Sequence, residues 1–204
     1  MQKRLIKRKM KINFLSNDFE NYLLKKLNVS EITEEELNTV KEVSLNAIDT
    51  NGIKNNYDFR DFEKLKNLQF ISLQNFVINN YQTNEMNRCP KLEGIQFSNC
   101  VMKSKSRLQG NIHIITFDNC KRLRFKYISL LKKLKVVKFS NIKFMNLKNI
   151  SILKNLEKIY FENGRILHFK NLSHLNNLFY IRLTKCKWNK SDEKYLSKNV
   201  EIEK

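Results

Sequence analysis

The chain has 204 residues, 41% of them apolar, which is enough for one continuous core. One Pro and four Gly leave no flexible linker between domains, and no stretch approaches the roughly 20 apolar residues of a membrane-spanning helix. Lys and Arg outnumber Asp and Glu by 39 to 20, and a formal net charge of +19 speeds association with anything acidic. Residues 1–12 form a basic arm with Lys3, Arg4, Lys7, Arg8, Lys9 and Lys11 and no acid. Its charge resembles the first part of a secretory signal, but no apolar segment follows. A cytoplasmic location is expected on that ground, with a surface or secreted origin as the alternative if a leader was removed.

Residues 13–36 read as a helical cap. Phe19, Tyr22, Leu23 and Leu27 recur at helical spacing and make one apolar stripe. Asn17 or Asp18 is the expected N-cap. Thr33 and Glu36 have the spacing of a capping box for a second helical turn. The acids Glu34, Glu35 and Glu36 then fall in a first turn, where the helix dipole favours negative charge.

From residue 37 the chain repeats itself. LKNLQFISLQNFVI at 65–78 and LKNLEKIYFENGRI at 153–166 share seven of fourteen positions. Five further copies can be aligned on one apolar anchor: Val40, Leu68, Leu92, Ile112, Leu134, Leu156 and Leu178. The steps between anchors are 28, 24, 20, 22, 22 and 22 residues. Each copy reads apolar-x-x-apolar-x-apolar, as in Leu156, Ile159 and Phe161, and the last two fall on one face of a strand. An Asn usually follows: Asn75, Asn99, Asn119, Asn141, Asn163. Asn tolerates left-handed backbone and turns the chain. One such unit cannot bury its apolar face alone, but stacked units can.

This pattern resembles the leucine-rich-repeat family in its 22-residue bacterial, internalin-like form, over roughly residues 14–188. The resemblance implies an α/β solenoid: a curved parallel sheet of about seven short strands, irregular return legs and an N-terminal helical cap. It divides the chain into the arm 1–12, a cap 13–36, repeats 37–188 and a C-terminal cap 189–204. One position departs from the family. Phe76, Cys100, Cys120, Ile142, Gly164 and Cys186 stand where an Asn is usual, with Asn one place earlier, so the resemblance does not extend to the family's inner Asn ladder. That position is a buried one in the family, so Cys100, Cys120 and Cys186 are expected as reduced, packed thiols. A Cys100–Cys120 disulfide between adjacent turns is the alternative.

Strand residues that point away from the core line the concave face. They include three bases, Lys138, Lys158 and Arg182, and three acids, Glu42, Asp118 and Glu162. The face is thus about neutral and exposes Phe70, Ile114, Val136, Tyr160 and Tyr180. Apolar anchors amid small polar residues suit a protein partner. The bases concentrate elsewhere: residues 101–170 carry 17 Lys or Arg against three acids. A second reading follows, in which the arm and the basic cluster 103–126, with Lys121, Arg122, Arg124 and Lys126 foremost, hold RNA, a ribosome or another polyanion. The plain alternative to both is a solvated basic surface.

No enzyme, metal or cofactor chemistry is expected. His113, His168 and His174 lack ligand spacing, and no nucleophile motif or phosphate loop occurs. Trp188 is expected to cover the end of the core. Ser191 is the expected N-cap of a short tail helix, and Val200-Glu201-Ile202 a last strand closing the open end. The oligomeric state is left open.

Overall fold

A computed structural model of the protein describes residues 12–103 and 106–204. Two helices come first: α1 (Asn17–Leu27) and α2 (Glu34–Thr39). Strands follow: β1 (Glu42–Asn46), β2 (Phe70–Gln74), the short β3 (Val77–Ile78), and, after helix α3 (Asn80–Met86), β4 (Gly94–Ser98) and β5 (Val101–Met102). The rest are β6 (Ile114–Asp118), β7 (Val136–Ser140), β8 (Phe144–Asn146), β9 (Lys158–Leu167), β10 (Tyr180–Lys187) and β11 (Glu201–Glu203). One parallel sheet runs β1-β2-β4-β6-β7-β9-β10-β11, with β8 on the flank of β9 and β3 paired with β5. The seven expected repeat strands are all present, and the tail adds an eighth along that path. All seven anchors from Val40 to Leu178 are buried. Among the described residues no helix is long and apolar enough to cross a membrane.

The core is a column. Inward residues of each strand stack on those of the next, and Phe97, Phe117, Phe139 and Phe161 form a spine of near-parallel rings 5.5, 5.8 and 5.6 Å apart. Such pairs add to the burial of each ring. Short 3-10 turns close the return legs and drop apolar residues onto the column, among them Phe59, Phe62, Phe125, Ile150 and Phe169.

The strand exits are left-handed, as the Asn residues predict. Asn75, Asn99, Asn119, Asn141 and Asn163 have φ between 48° and 62°, and Lys185 takes the same turn at 53°. Their side chains also form a ladder at the rim of the sheet. Asn75 donates to Asn46, Asn119 to Asn99, Asn141 to Asp118 and Asn163 to Asn141, at 2.6–2.9 Å. The next residue turns inward. Cys100 and Cys120 donate their thiols to the carbonyls of Leu73 and Phe97 at 3.3 Å, one turn back. All four cysteines are free thiols. The Cys120 thiol is pushed well above its ordinary range by its hydrogen bond to Cys100 and by burial, so it stays protonated. Cys186, expected buried, is only half-buried, because β11 pairs with β10 only from Tyr180 to Arg182 and no next strand among the described residues lies beside it. Gly164 is needed at this position, since a Cβ would lie 2.4 Å from the Ile142 carbonyl oxygen.

Two expected caps are corrected. Ser16, not Asn17 or Asp18, caps α1 by accepting the Phe19 N–H at 3.1 Å. Ser16 is pinned first: its N–H donates to the buried Asp61 carboxylate at 3.0 Å and its hydroxyl to the Asn56 carbonyl at 2.7 Å. Asp18 instead accepts the Asn56 N–H at 2.6 Å. In the tail, Asn189 rather than Ser191 caps the 3-10 turn Lys190–Tyr195. The Thr33–Glu36 capping box forms as expected. Trp188 packs at the end of the column, its ring 6.1 Å from that of Phe169 and its N–H donated to Glu193.

Candidate functional site

The outward residues of successive strands fall in rows because the register is unbroken. One row holds Phe70, Gly94, Ile114, Val136, Lys158 and Tyr180, each opposite the next across a strand pair. The row below holds Ser72, Gln96, Thr116, Lys138, Tyr160 and Arg182. The concave face is therefore assembled by pairing, and a residue's place on it follows from its position in the repeat.

Its N-terminal half is a hollow of about 410 Å³ lined by Phe70, Gly94, Ile114, Thr116 and Lys138, with Lys26 of α1 at the other end. Gly94 makes the floor. A Cβ there would lie 2.5 Å from the Phe70 ring and 3.0 Å from an Ile114 methyl group, so only glycine lets these two side chains settle over it. Phe70 remains 44% exposed. The outer edge of β1 is protected rather than open: Tyr22 of α1 accepts the Ser44 N–H at 2.8 Å, and Lys26 lies 3.7 Å from Glu42.

The C-terminal half is a polar and aromatic cluster. The Tyr160 and Tyr180 rings are 5.6 Å apart. The Arg182 guanidinium sits 5.6 Å from the first ring and 5.9 Å from the second, and the Lys138 ammonium 5.2 Å from Tyr160. Glu203 of β11 completes it, pairing with Arg182 at 2.8 Å and accepting the Tyr180 hydroxyl. Arg182 also donates to the Tyr180 oxygen at 3.1 Å. The Tyr180 hydroxyl and then Arg182 hold the Glu203 carboxyl below its ordinary value, and the same hydrogen bond raises Tyr180. Parallel pairing sets Arg182 opposite Glu203.

The structure thus brings Phe70 and Ile114 together, and Lys138, Tyr160, Tyr180 and Arg182 together. Val136 lies between the two groups. Lys158 is turned away, its ammonium 5.3 Å from the exposed Phe179 ring rather than in the tyrosine cluster. Sequence reasoning missed Glu203, Lys26 and Gly94. The 22-residue step carried beyond Arg182 lands on Lys204, whereas the pairing closes one residue short and sets Glu203 there. Of the polyanion candidates, Lys121, Arg122, Arg124 and Lys126 are exposed on the flank where strands exit, and Arg122 and Arg124 line a second hollow of about 230 Å³. Lys3, Arg4, Lys7, Arg8 and Lys9 lie outside the described residues. Among the described residues no group of three or more His, Cys, Asp or Glu side chains converges as for a metal ion.

No protein-family model matches the chain, and no curated protein matches it. Solved structures do. The crystal structure of an internalin C2 from Listeria monocytogenes superposes with a TM-score of 0.52 over 93% of each chain, at 16% identity. That of an internalin, inlF, from the same organism covers 93% of this chain and 75% of its own, at 11% identity and a TM-score of 0.36. The first likeness, with the parallel sheet and the repeat, gives the fold as the leucine-rich-repeat solenoid.

Proposed function

We propose that the protein is a non-catalytic recognition module that holds one protein partner on the concave face of its sheet. The observation that carries this reading is the apolar hollow built on Gly94 between Phe70 and Ile114. Aromatic and aliphatic side chains surrounded by small polar groups are the composition of a protein-binding core patch. A sheet whose every inner strand is paired on both sides is already ordered, so little entropy is lost when it binds. Tyr160, Tyr180 and Arg182 are of the types that dominate binding energies, and they stand next to the hollow on the same face. Lys138 borders both halves and orients the partner.

The test is photo-cross-linking. A photoreactive side chain replaces Ser72 or Gln96 on the concave face, or Lys133 or Lys154 on the return legs. The reading predicts that one and the same protein is captured from both concave positions and from neither return-leg position. Capture from the return legs alone would overturn it.

A further inference from the structure

The 22-residue period that stacks the strands also stacks charge. Lys121, Lys143, Arg165 and Lys187 stand two residues past the left-handed exits Asn119, Asn141, Asn163 and Lys185, on four successive turns. All four are exposed. Arg165 lies opposite Lys187, and Phe144 opposite Arg165, with the Lys143 ammonium 5.6 Å above the Phe144 ring. Turns in a sheet repeat at about 4.8 Å, so four rungs span roughly 14 Å. Five residues further on, Lys126, Lys148 and Lys170 make a second exposed row. The four stretches 121–126, 143–148, 165–170 and 187–192 hold ten Lys or Arg and one acid. That acid, Asp192, is buried and accepts hydrogen bonds from Lys170 N–H and Asn189.

Like charges on neighbouring rungs repel and cost stability. None of the cations in the two rows makes an ion pair among the described residues, although Lys135, Lys204, Arg88 and Arg182 do elsewhere. Between the rows the surface is hollowed. One cavity of about 610 Å³ is lined by Arg165, His168, Lys170, Lys187 and Trp188. The 230 Å³ hollow beside it is lined by Arg122, Arg124, Phe125 and Phe144. Phe144 is 54% exposed, whereas Phe125 is 9% exposed and Trp188 half-buried.

We infer that this flank is a binding groove for single-stranded nucleic acid, separate from the concave face. Cations in a line follow a phosphodiester backbone, and the exposed Phe144 ring, with the half-buried Trp188 further along the row, offers faces to unpaired bases. This is the pairing of features that non-specific single-strand binders use. A flat bilayer meets the lysine rims but does not reach Phe125 or Trp188 below them. An acidic peptide satisfies the cations but has no flat ring to lay on Phe144. A duplex keeps its bases stacked away from the floor. The inference moves the polyanion reading from a cluster contiguous in sequence, 103–126, to a row that crosses four turns.

The test uses the full chain and fluorescence anisotropy with a labelled 12-nucleotide mixed-sequence single-stranded RNA. Log affinity should fall linearly with log salt, with a slope near −3 for about four phosphates contacted. The triple variant Lys143→Glu, Arg165→Glu, Lys187→Glu should lose affinity by about tenfold or more and flatten the slope by about 2. A control triple, Lys132→Glu, Lys133→Glu, Lys154→Glu, makes the same change in net charge on exposed return-leg sites and should lose less than about twofold. Phe144→Ala should weaken RNA about fivefold or more and leave inorganic polyphosphate unchanged. Equal losses from the two triples would overturn the inference, because the charge would then act without a site. So would vesicles of anionic lipid, polyglutamate or the matching duplex binding as tightly as the single strand.

Discussion

The two halves of the concave face use the same repeat positions for opposite ends. Around Gly94 the outward residues are apolar and leave a hollow. Around Arg182 they are aromatic and charged and fill one another's hydrogen-bonding needs. The first half is held from outside, by α1 and the buried Asp61 that ties the start of the helix to the first return leg. The second is held by the tail strand β11. The contrast teaches that this scaffold fixes where side chains stand, while a single residue choice decides whether a position becomes a cavity or a prearranged cluster.

The largest break should come at Asp61. Its carboxylate is fully buried and accepts the Leu15 and Ser16 N–H groups and the Lys64 ammonium. Asp61→Ala strands all three and should cost about 3 kcal/mol in chemical denaturation. Amide exchange should rise in α1 and β1 while β10 and β11 stay protected. Uniform loss of protection across the sheet would show that the halves are not held separately.

Gly94→Ala sharpens the contrast from the other side. The added methyl meets the Phe70 ring and the Ile114 methyl group but no backbone. Phe70 can swing outward, so stability should change by less than about 1 kcal/mol, while the filled hollow should weaken the protein partner by roughly tenfold. A loss of binding that merely tracks a loss of stability would remove the hollow from the account.

The smallest effect is one of pH, and it is confined to the C-terminal half. The folded-state value of Glu203 is lowered, so its contribution is present at neutral pH and lost as pH falls from the ordinary glutamate value of about 4.3 through the lower folded one. Tyr180 is raised, so its contribution is present below about 10 and lost as pH rises through the folded value. Exchange of the Glu201 amide, which donates to the Phe179 carbonyl at 2.9 Å, should therefore quicken at both extremes. Strands β2 and β4, which carry no ionisable side chain, should not respond. A matching response at β2 and β4 would count against the distinction.

Much of the fold was legible because a repeat is a long, redundant signal. Seven anchors in phase place seven strands, and each strand's alternation decides which residues face outward. Phe70 and Ile114, and Tyr160 and Arg182, follow from that alone. What the sequence hid is what depends on the third dimension or on competition. Ser16 outcompetes two better-placed cap residues because Asp61, 45 residues away in sequence, pins it. Glu203 enters the site through a strand of three residues, too short to carry a pattern. The basic row on the flank is invisible to a search for clusters contiguous in sequence, since its members are one full turn apart. The Asn position, shifted by one residue from the family's habit, was visible. Its consequence was not: the left-handed exits build an Asn ladder of their own on the rim of the sheet.

The most direct measurement is the affinity of the captured protein partner for the parent and for Phe70→Ala, Tyr160→Ala and Tyr180→Ala, each checked for unchanged folding. The account predicts that at least one variant in each half loses about 2 kcal/mol or more, roughly 30-fold. Parent-like binding by all three would contradict it, and would mean that the concave face is not where the partner sits.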